Sequence, residues 1–265
     1  MKTVLWYGDS ITWGYNPIDG SRFPFEQRWP GVLQAVLGSS YRVIEEGLNG
    51  RIVATDSWIL PHRDGRSMLG PLLESHAPLD WVIILLGTND CAPTYRRDVG
   101  EIAFGCATLL WTVQKSSAGP AGAAPQMLLV SPPPFGKFSP FMELFFRGGE
   151  ATGHGLAAAY ATVAEACGAR FLDAARVLPP GPVDGVHRDA NGQRQLAKRS
   201  RSSLRRECCR PAVMAMVSVL GLGQSLWCDG INAIGVSELL YTLLILSIYL
   251  FVFSMLRLSA FLVGF

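Results

Sequence analysis

The sequence predicts a three-layer α/β domain, a five-stranded parallel sheet with helices on both faces, followed by an apolar tail. Three observations carry this reading. Short apolar runs recur along the first two hundred residues, segments with apolar residues at helical spacing separate them, and the runs end in Gly, Pro or Asn/Asp turns. Strands alternating with helices at that pitch imply right-handed crossovers, which cover both faces of a parallel sheet. In such a domain ligands sit beyond the carboxyl ends of the strands. The chemistry is therefore expected in the loops that follow them.

The elements can be justified in order. Residues 4–7 (VLWY) form the first apolar run, broken by Gly8-Asp9, and residues 29–37 have helical spacing. Residues 41–45 are β-branched and alternating, as a strand is. Residues 81–86 (WVIILL) are apolar throughout, which suits a strand buried on both faces. A helix is predicted over 99–114. The fourth run, 127–130, stops at Ser131-Pro132-Pro133-Pro134, which cannot continue a sheet. An alanine-rich helix over 155–167 then leads to a fifth strand over 170–173. Residues 132–150, with Phe135, Phe138, Phe141, Phe145 and Phe146, form a long aromatic insertion. It is either a surface loop packing its own rings, or a wall of a substrate pocket or a subunit contact.

Composition narrows the function classes. At 265 residues the chain holds one large domain, or one domain with an appendage. Only 17% of residues are charged and the net charge is +2, which argues against nucleic-acid binding. A hydrophobic content of 49% excludes a disordered chain. Charge is uneven: residues 1–197 carry 16 Lys/Arg and 18 Asp/Glu, residues 198–265 carry 7 and 3. We therefore divide the sequence into a domain over 1–197, a basic linker over 198–211 and a hydrophobic tail over 212–265. None of the six cysteines forms a C-x-x-C pair and the four histidines are scattered, so no metal site is expected. The first apolar run is too short for a signal peptide, which puts the domain in the cytoplasm with free thiols.

Three strand ends and one late loop carry polar constellations: Gly8-Asp9-Ser10-Ile11-Thr12, Glu46-Gly47-Leu48-Asn49-Gly50-Arg51, Gly87-Thr88-Asn89-Asp90 and Asp184-Gly185-Val186-His187. A serine becomes a nucleophile when a base takes its proton, and the base needs an acid to fix its tautomer. Asp184 and His187 are close enough in sequence for the carboxylate to reach the imidazole within one turn. Ser10 is then the natural partner. The tetrahedral intermediate also needs donors, for which the N–H groups of Ser10 and Gly50 and the Asn89 amide are candidates. His62 and His76 read as surface residues and His154 as local structure. Asp9 and Asp90 read as braces of their turns, and Cys91, Cys106 and Cys167 as packing residues.

In order and spacing these four blocks resemble those of the SGNH (GDSL-type) hydrolases. Residues 43–48, 79–84 and 130–134 are further similar to the bacterial, mycobacterial-type aryl esterase/acyltransferase branch. The resemblance covers roughly residues 2–197. It implies a flavodoxin-like sheet and cofactor-free, metal-free hydrolysis of small acyl or aryl esters through an acyl-serine, with transfer to alcohols competing with water. By position Ser10 would be the nucleophile, His187 the general base and Asp184 its orienter, with Ser10, Gly50 and Asn89 as the oxyanion hole. It also implies a homo-oligomer whose contacts involve the 132–150 insertion. Trp13 would either line the acyl pocket or staple its helix.

Two rivals belong to other classes. A flavodoxin-like module that binds flavin or phosphate is disfavoured, because the first loop lacks a Ser/Thr-rich cradle and no G-x-x-x-x-G-K-[ST] occurs. The other is a catalytically impaired domain on a membrane anchor. Residues 198–206 show no apolar stripe where a terminal helix would need one. Residues 239–256 are 18 uncharged, mostly apolar residues, long enough to span a bilayer after a basic cluster. The tail is thus read either as a membrane anchor or as an extension after a shifted reading frame.

Overall fold

The computed structural model describes residues 1–205. Five strands, β1 (Lys2–Gly8), β2 (Tyr41–Gly47), β3 (Trp81–Leu85), β4 (Gln126–Val130) and β5 (Arg170–Leu172), form one sheet in the order β2-β1-β3-β4-β5. Every pairing is parallel, as the alternation of strands and helices predicts. The helices are α1 (Ser10–Trp13), α2 (Trp29–Leu37), α3 (Gly65–His76), α4 (Val99–Lys115), α5 (Pro140–Phe146), α6 (Glu150–Ala166) and α7 (Ala190–Arg205).

Side chains alternate across a strand, so each strand feeds two cores. Leu5 and Tyr7 of β1, with Val82 and Ile84 of β3, pack with α3, α4 and α6. Val4, Trp6, Trp81, Ile83 and Leu85 face the other way, against Trp29 and Leu33 of α2 and Leu196 and Leu204 of α7. All five β3 residues are buried, which explains the unbroken apolar run. With β2 and β3 on either side of it, β1 sits where the loops after three strands meet.

Two helices differ from the sequence reading, and the aromatic insertion follows one of its two alternatives. Helix α3 was not expected, because Gly65, Gly70 and Pro71 obscure its periodicity. It forms because Asp64 accepts the Arg66 N–H at 2.9 Å as an N-cap and because Leu69 and Leu73, one turn apart, are buried. The aromatic insertion folds upon itself: Phe146 is buried with Ala92 and Val186, and Phe135 and Phe138 pack against them. Helix α5 lies within it. Finally, where a basic linker is expected from Lys198, α7 continues to Arg205. Its buried face is narrow, running through Gln193, Leu196, Ala197, Ser200 and Leu204, with Ser200 satisfied by donating to Leu196 O at 2.8 Å. Arginines elsewhere on the helix hide that face from a hydropathy reading.

The remainder of the linker and the 212–265 tail, including the candidate span at 239–256, lie outside the described residues. Among the described residues no helix is long and apolar enough to cross a membrane, and no His/Cys/Asp/Glu cluster suits a metal ion.

Candidate active site

The turn after β1 carries Ser10 as the first residue of α1. Asp9, fully buried, caps that turn by accepting the Ile11 N–H at 2.9 Å. Burial pushes its carboxyl up to about 6. Ser10 is itself buried, and its Oγ lies 2.9 Å from His187 Nε2. On the far side of the imidazole, His187 Nδ1 is 2.6 Å from Asp184 Oδ2. Asp184 Oδ1 accepts the N–H groups of Val186 and His187 at 2.9 and 2.8 Å. Burial alone would raise this carboxyl, but the bonds from His187 and Val186 hold it below the ordinary carboxylate range. A hydroxyl, an imidazole and an ionised carboxylate thus form one hydrogen-bonded chain, which can withdraw a proton from the hydroxyl as it attacks a carbonyl.

The loops after β2 and β3 flank this chain. Gly50 has φ +76°, a left-handed conformation that larger residues rarely adopt, while a Cβ there would meet only the movable tip of the exposed Leu60 side chain, at 2.6 Å. Asn89 Nδ2 donates to Arg51 O at 3.0 Å, which uses one amide hydrogen and leaves the second. Arg51 had no role in the sequence reading, yet it is buried. Its guanidinium donates to Gly8 O at 2.8 Å and to Glu46 O, and lies over the Tyr7 ring at 4.2 Å. It ties the ends of β1 and β2 together below Gly50. Tyr15 was also missed; its ring is tilted against His187 at 4.2 Å. Trp13 carries Arg22 over its ring, at 5.1 Å. Burial of an arginine is itself a signal, but it is visible only in three dimensions.

Asp90 links the two flanking loops, since both its carboxylate oxygens accept the Val53 N–H at 3.1 Å. Burial pushes its carboxyl up to about 7. The folded chain therefore holds a proton here that the unfolded chain has released, and stability falls as pH rises from about 4 to 7. Asp90→Asn should flatten that fall, with a smaller slope left by Asp9 in the same window. Thermal midpoints of both proteins at about pH 5 and about pH 8 check this; parallel curves would refute it.

With this geometry in hand, comparison with known proteins is specific. The model of the GDSL-like lipase/acylhydrolase family matches residues 6–195. The chain belongs to that family. Its chemistry, like that of other GDSL-like acylhydrolases, is serine-type carboxylic ester hydrolysis and acyl transfer. It is 40% identical to an aryl esterase of M. smegmatis, with a TM-score of 0.72, covering 76% of this chain and 99% of that one. It is 35% identical to Est24, a carbohydrate acetylesterase from Sinorhizobium meliloti, with a TM-score of 0.74 and coverage of 77% and 98%. A lipolytic G-D-S-L family member from Veillonella parvula, 14% identical with a TM-score of 0.58 over 78% of this chain and all of that one, shows the fold alone. No curated protein sequence matches the chain.

Proposed function

We propose that this GDSL-like acylhydrolase cleaves small acyl and aryl esters through an acyl-serine on Ser10. One observation carries the reading: the unbroken Ser10–His187–Asp184 chain, with contacts of 2.9 and 2.6 Å. The aryl esterase and acetylesterase relatives support the substrate class. Burial of both Ser10 and His187 supports a small acyl group.

In this mechanism Ser10 Oγ attacks the ester carbonyl carbon as its proton passes to His187 Nε2. The oxyanion takes the N–H groups of Ser10 and Gly50 and the uncommitted Asn89 hydrogen. The bond to the leaving oxygen then breaks and that oxygen receives the proton from His187, leaving acyl-Ser10. Water or an alcohol attacks next, giving its proton to His187, and Ser10 leaves as the hydroxyl. The ratio of acid to new ester is set by which acceptor reaches the acyl-enzyme first.

Asn89→Ala should lower kcat for an aryl acetate by roughly 10²–10³ while KM stays near the wild-type value, as removal of one oxyanion donor does elsewhere. An unchanged kcat would remove Asn89 from the oxyanion hole. Hydrolysis of acetyl against longer-chain aryl esters, with and without added alcohol, tests the substrate class and the transfer reaction.

The insertion also supports homo-oligomerisation. Phe141 and Leu144 of α5 are 71% and 86% exposed, an apolar cost in water that a second copy would remove. Light scattering of the wild type and of Phe141→Ser decides between these states. The apolar residues 239–256 support a membrane contact, which fractionation of the full chain tests.

A further inference from the structure

The Asp184–His187 loop reaches Ser10 from the opposite side of the sheet. It follows β5, an edge strand, whereas Ser10 follows β1, and β3 and β4 lie between them. Such a loop needs anchoring to hold an imidazole at hydrogen-bond distance from the hydroxyl. Two neighbouring loops clasp it. From the start of the aromatic insertion, Gly136 N donates to Gly185 O at 2.7 Å and Ser139 N to Asp184 O at 3.1 Å. From the segment before it, Gly181 comes so near that a Cβ there would meet His187 O at 2.8 Å.

Arg188 passes through this clasp. It is the residue after His187 and is only 2% exposed. Its Nη2 donates to Val186 O at 2.7 Å and to Pro134 O at 3.2 Å, and its Nη1 donates to Pro179 O. The three acceptors belong to the three loops just described. Its stem packs at Gly192 in the first turn of α7, where Asp189 accepts the Gly192 N–H at 2.7 Å. Among the described residues no carboxylate lies within ion-pair distance of the guanidinium, and Nε has no partner. Burial lowers the group to about 10, with Asp184 and Asp189 acting in the opposite sense, so it remains a cation at neutral pH. A buried cation held only by backbone carbonyls is costly. What it supplies in return is geometry, because a planar guanidinium fixes three carbonyls in one plane as an apolar side chain cannot.

We propose that Arg188 is a positioning residue, which holds the His187 loop in register with Ser10 by pinning it to the Pro134 and Pro179 segments. The proposal rests on His187 acting as the general base. It further makes the start of the aromatic insertion part of the support of the acid–base pair. Displacing a catalytic group by about 1 Å can cost 10²-fold in rate, so the effect should appear in kcat and leave KM almost alone.

The test uses the full chain and p-nitrophenyl acetate, with sites counted by end-point labelling with a fluorophosphonate, so that loss of folded protein does not enter the rate. Arg188→Ala should lower kcat per labelled site by about a hundredfold with KM within about threefold of wild type. Added guanidinium ion at millimolar concentration should restore part of that loss. Arg188→Lys, whose ammonium cannot span three carbonyls, should fall between the two, and it decides the matter if the alanine variant does not fold. A per-site kcat at the wild-type level in the folded variant overturns the proposal, as does a loss that guanidinium does not relieve. His187→Ala is measured alongside: activity retained there would sink the base assignment itself, whereas an inactive His187→Ala beside a fully active Arg188→Ala sinks only the role of Arg188.

Discussion

Ser10→Ala should reduce ester turnover by roughly four to six orders of magnitude, to the level that binding and oxyanion donors alone support. The substitution removes one oxygen from a buried position whose hydrogen-bond partner is His187 Nε2 at 2.9 Å. Asp9 still caps the turn, and the Ser10 carbonyl still accepts the N–H groups of Gly14 and Tyr15, both at 3.0 Å. The fold should therefore be kept, with stability within about 1 kcal/mol of wild type. Two measurements are needed together. Steady-state hydrolysis of an aryl acetate reads the loss, and peptide mass spectrometry after fluorophosphonate treatment of the wild type reads the site. A label on the peptide bearing Ser10, absent in Ser10→Ala and in His187→Ala, is the expected result. Turnover surviving in Ser10→Ala, or a label on another serine, would move the nucleophile elsewhere.

The candidate site was legible in sequence where its parts are local. Each of Ser10, Gly50 and Asn89 follows a strand within a few residues, and Asp184 carries its partner His187 three positions away. Strand patterning was equally plain, because β1 and β3 are buried on both faces and read as continuous apolar runs. What stayed hidden depends on partners distant in the chain. Arg51 reaches Gly8, 43 residues back, and Arg188 reaches Pro134, 54 residues back, while their nearer acceptors, Glu46 O and Val186 O, are backbone carbonyls that no sequence pattern marks. Tyr15 gains meaning only from the ring of His187. Helix α7 was obscured for a different reason. Its buried face is narrow and holds only Leu196, Ala197 and Leu204 as apolar side chains beside Gln193 and Ser200, and long arginine side chains on the other faces dominate the average. That face suffices because α2 and β5 lie beneath it, with Arg170 donating to Ser203 O near the end of the helix.

Asp184→Asn separates the shape of the dyad from its charge. The amide oxygen can keep the place of Asp184 Oδ1, where the N–H groups of Val186 and His187 converge at 2.9 and 2.8 Å. Those two donors fix the orientation of the amide, which puts its NH₂ where Oδ2 now faces His187 Nδ1 at 2.6 Å. A donor there requires Nδ1 to accept, so the ring proton moves to Nε2, the nitrogen that must be free to take the proton of Ser10. The geometry survives and the tautomer is wrong. The expected loss in kcat is about 10⁴-fold with little change in KM, as for the corresponding change in a serine-protease triad. Stability carries an independent sign. The folded value of Asp184 lies below its unfolded value, so its charge stabilises the fold at neutral pH and that contribution fades only as pH falls below about 4. The Asn variant should thus melt earlier than wild type at neutral pH, and the gap should close in acid. Kinetics and a thermal melt at two pH values read both effects. Wild-type kcat in a folded Asp184→Asn would mean that the carboxylate orients nothing, and the acid–base pair would have to be sought elsewhere among the loops at the sheet's carboxyl edge.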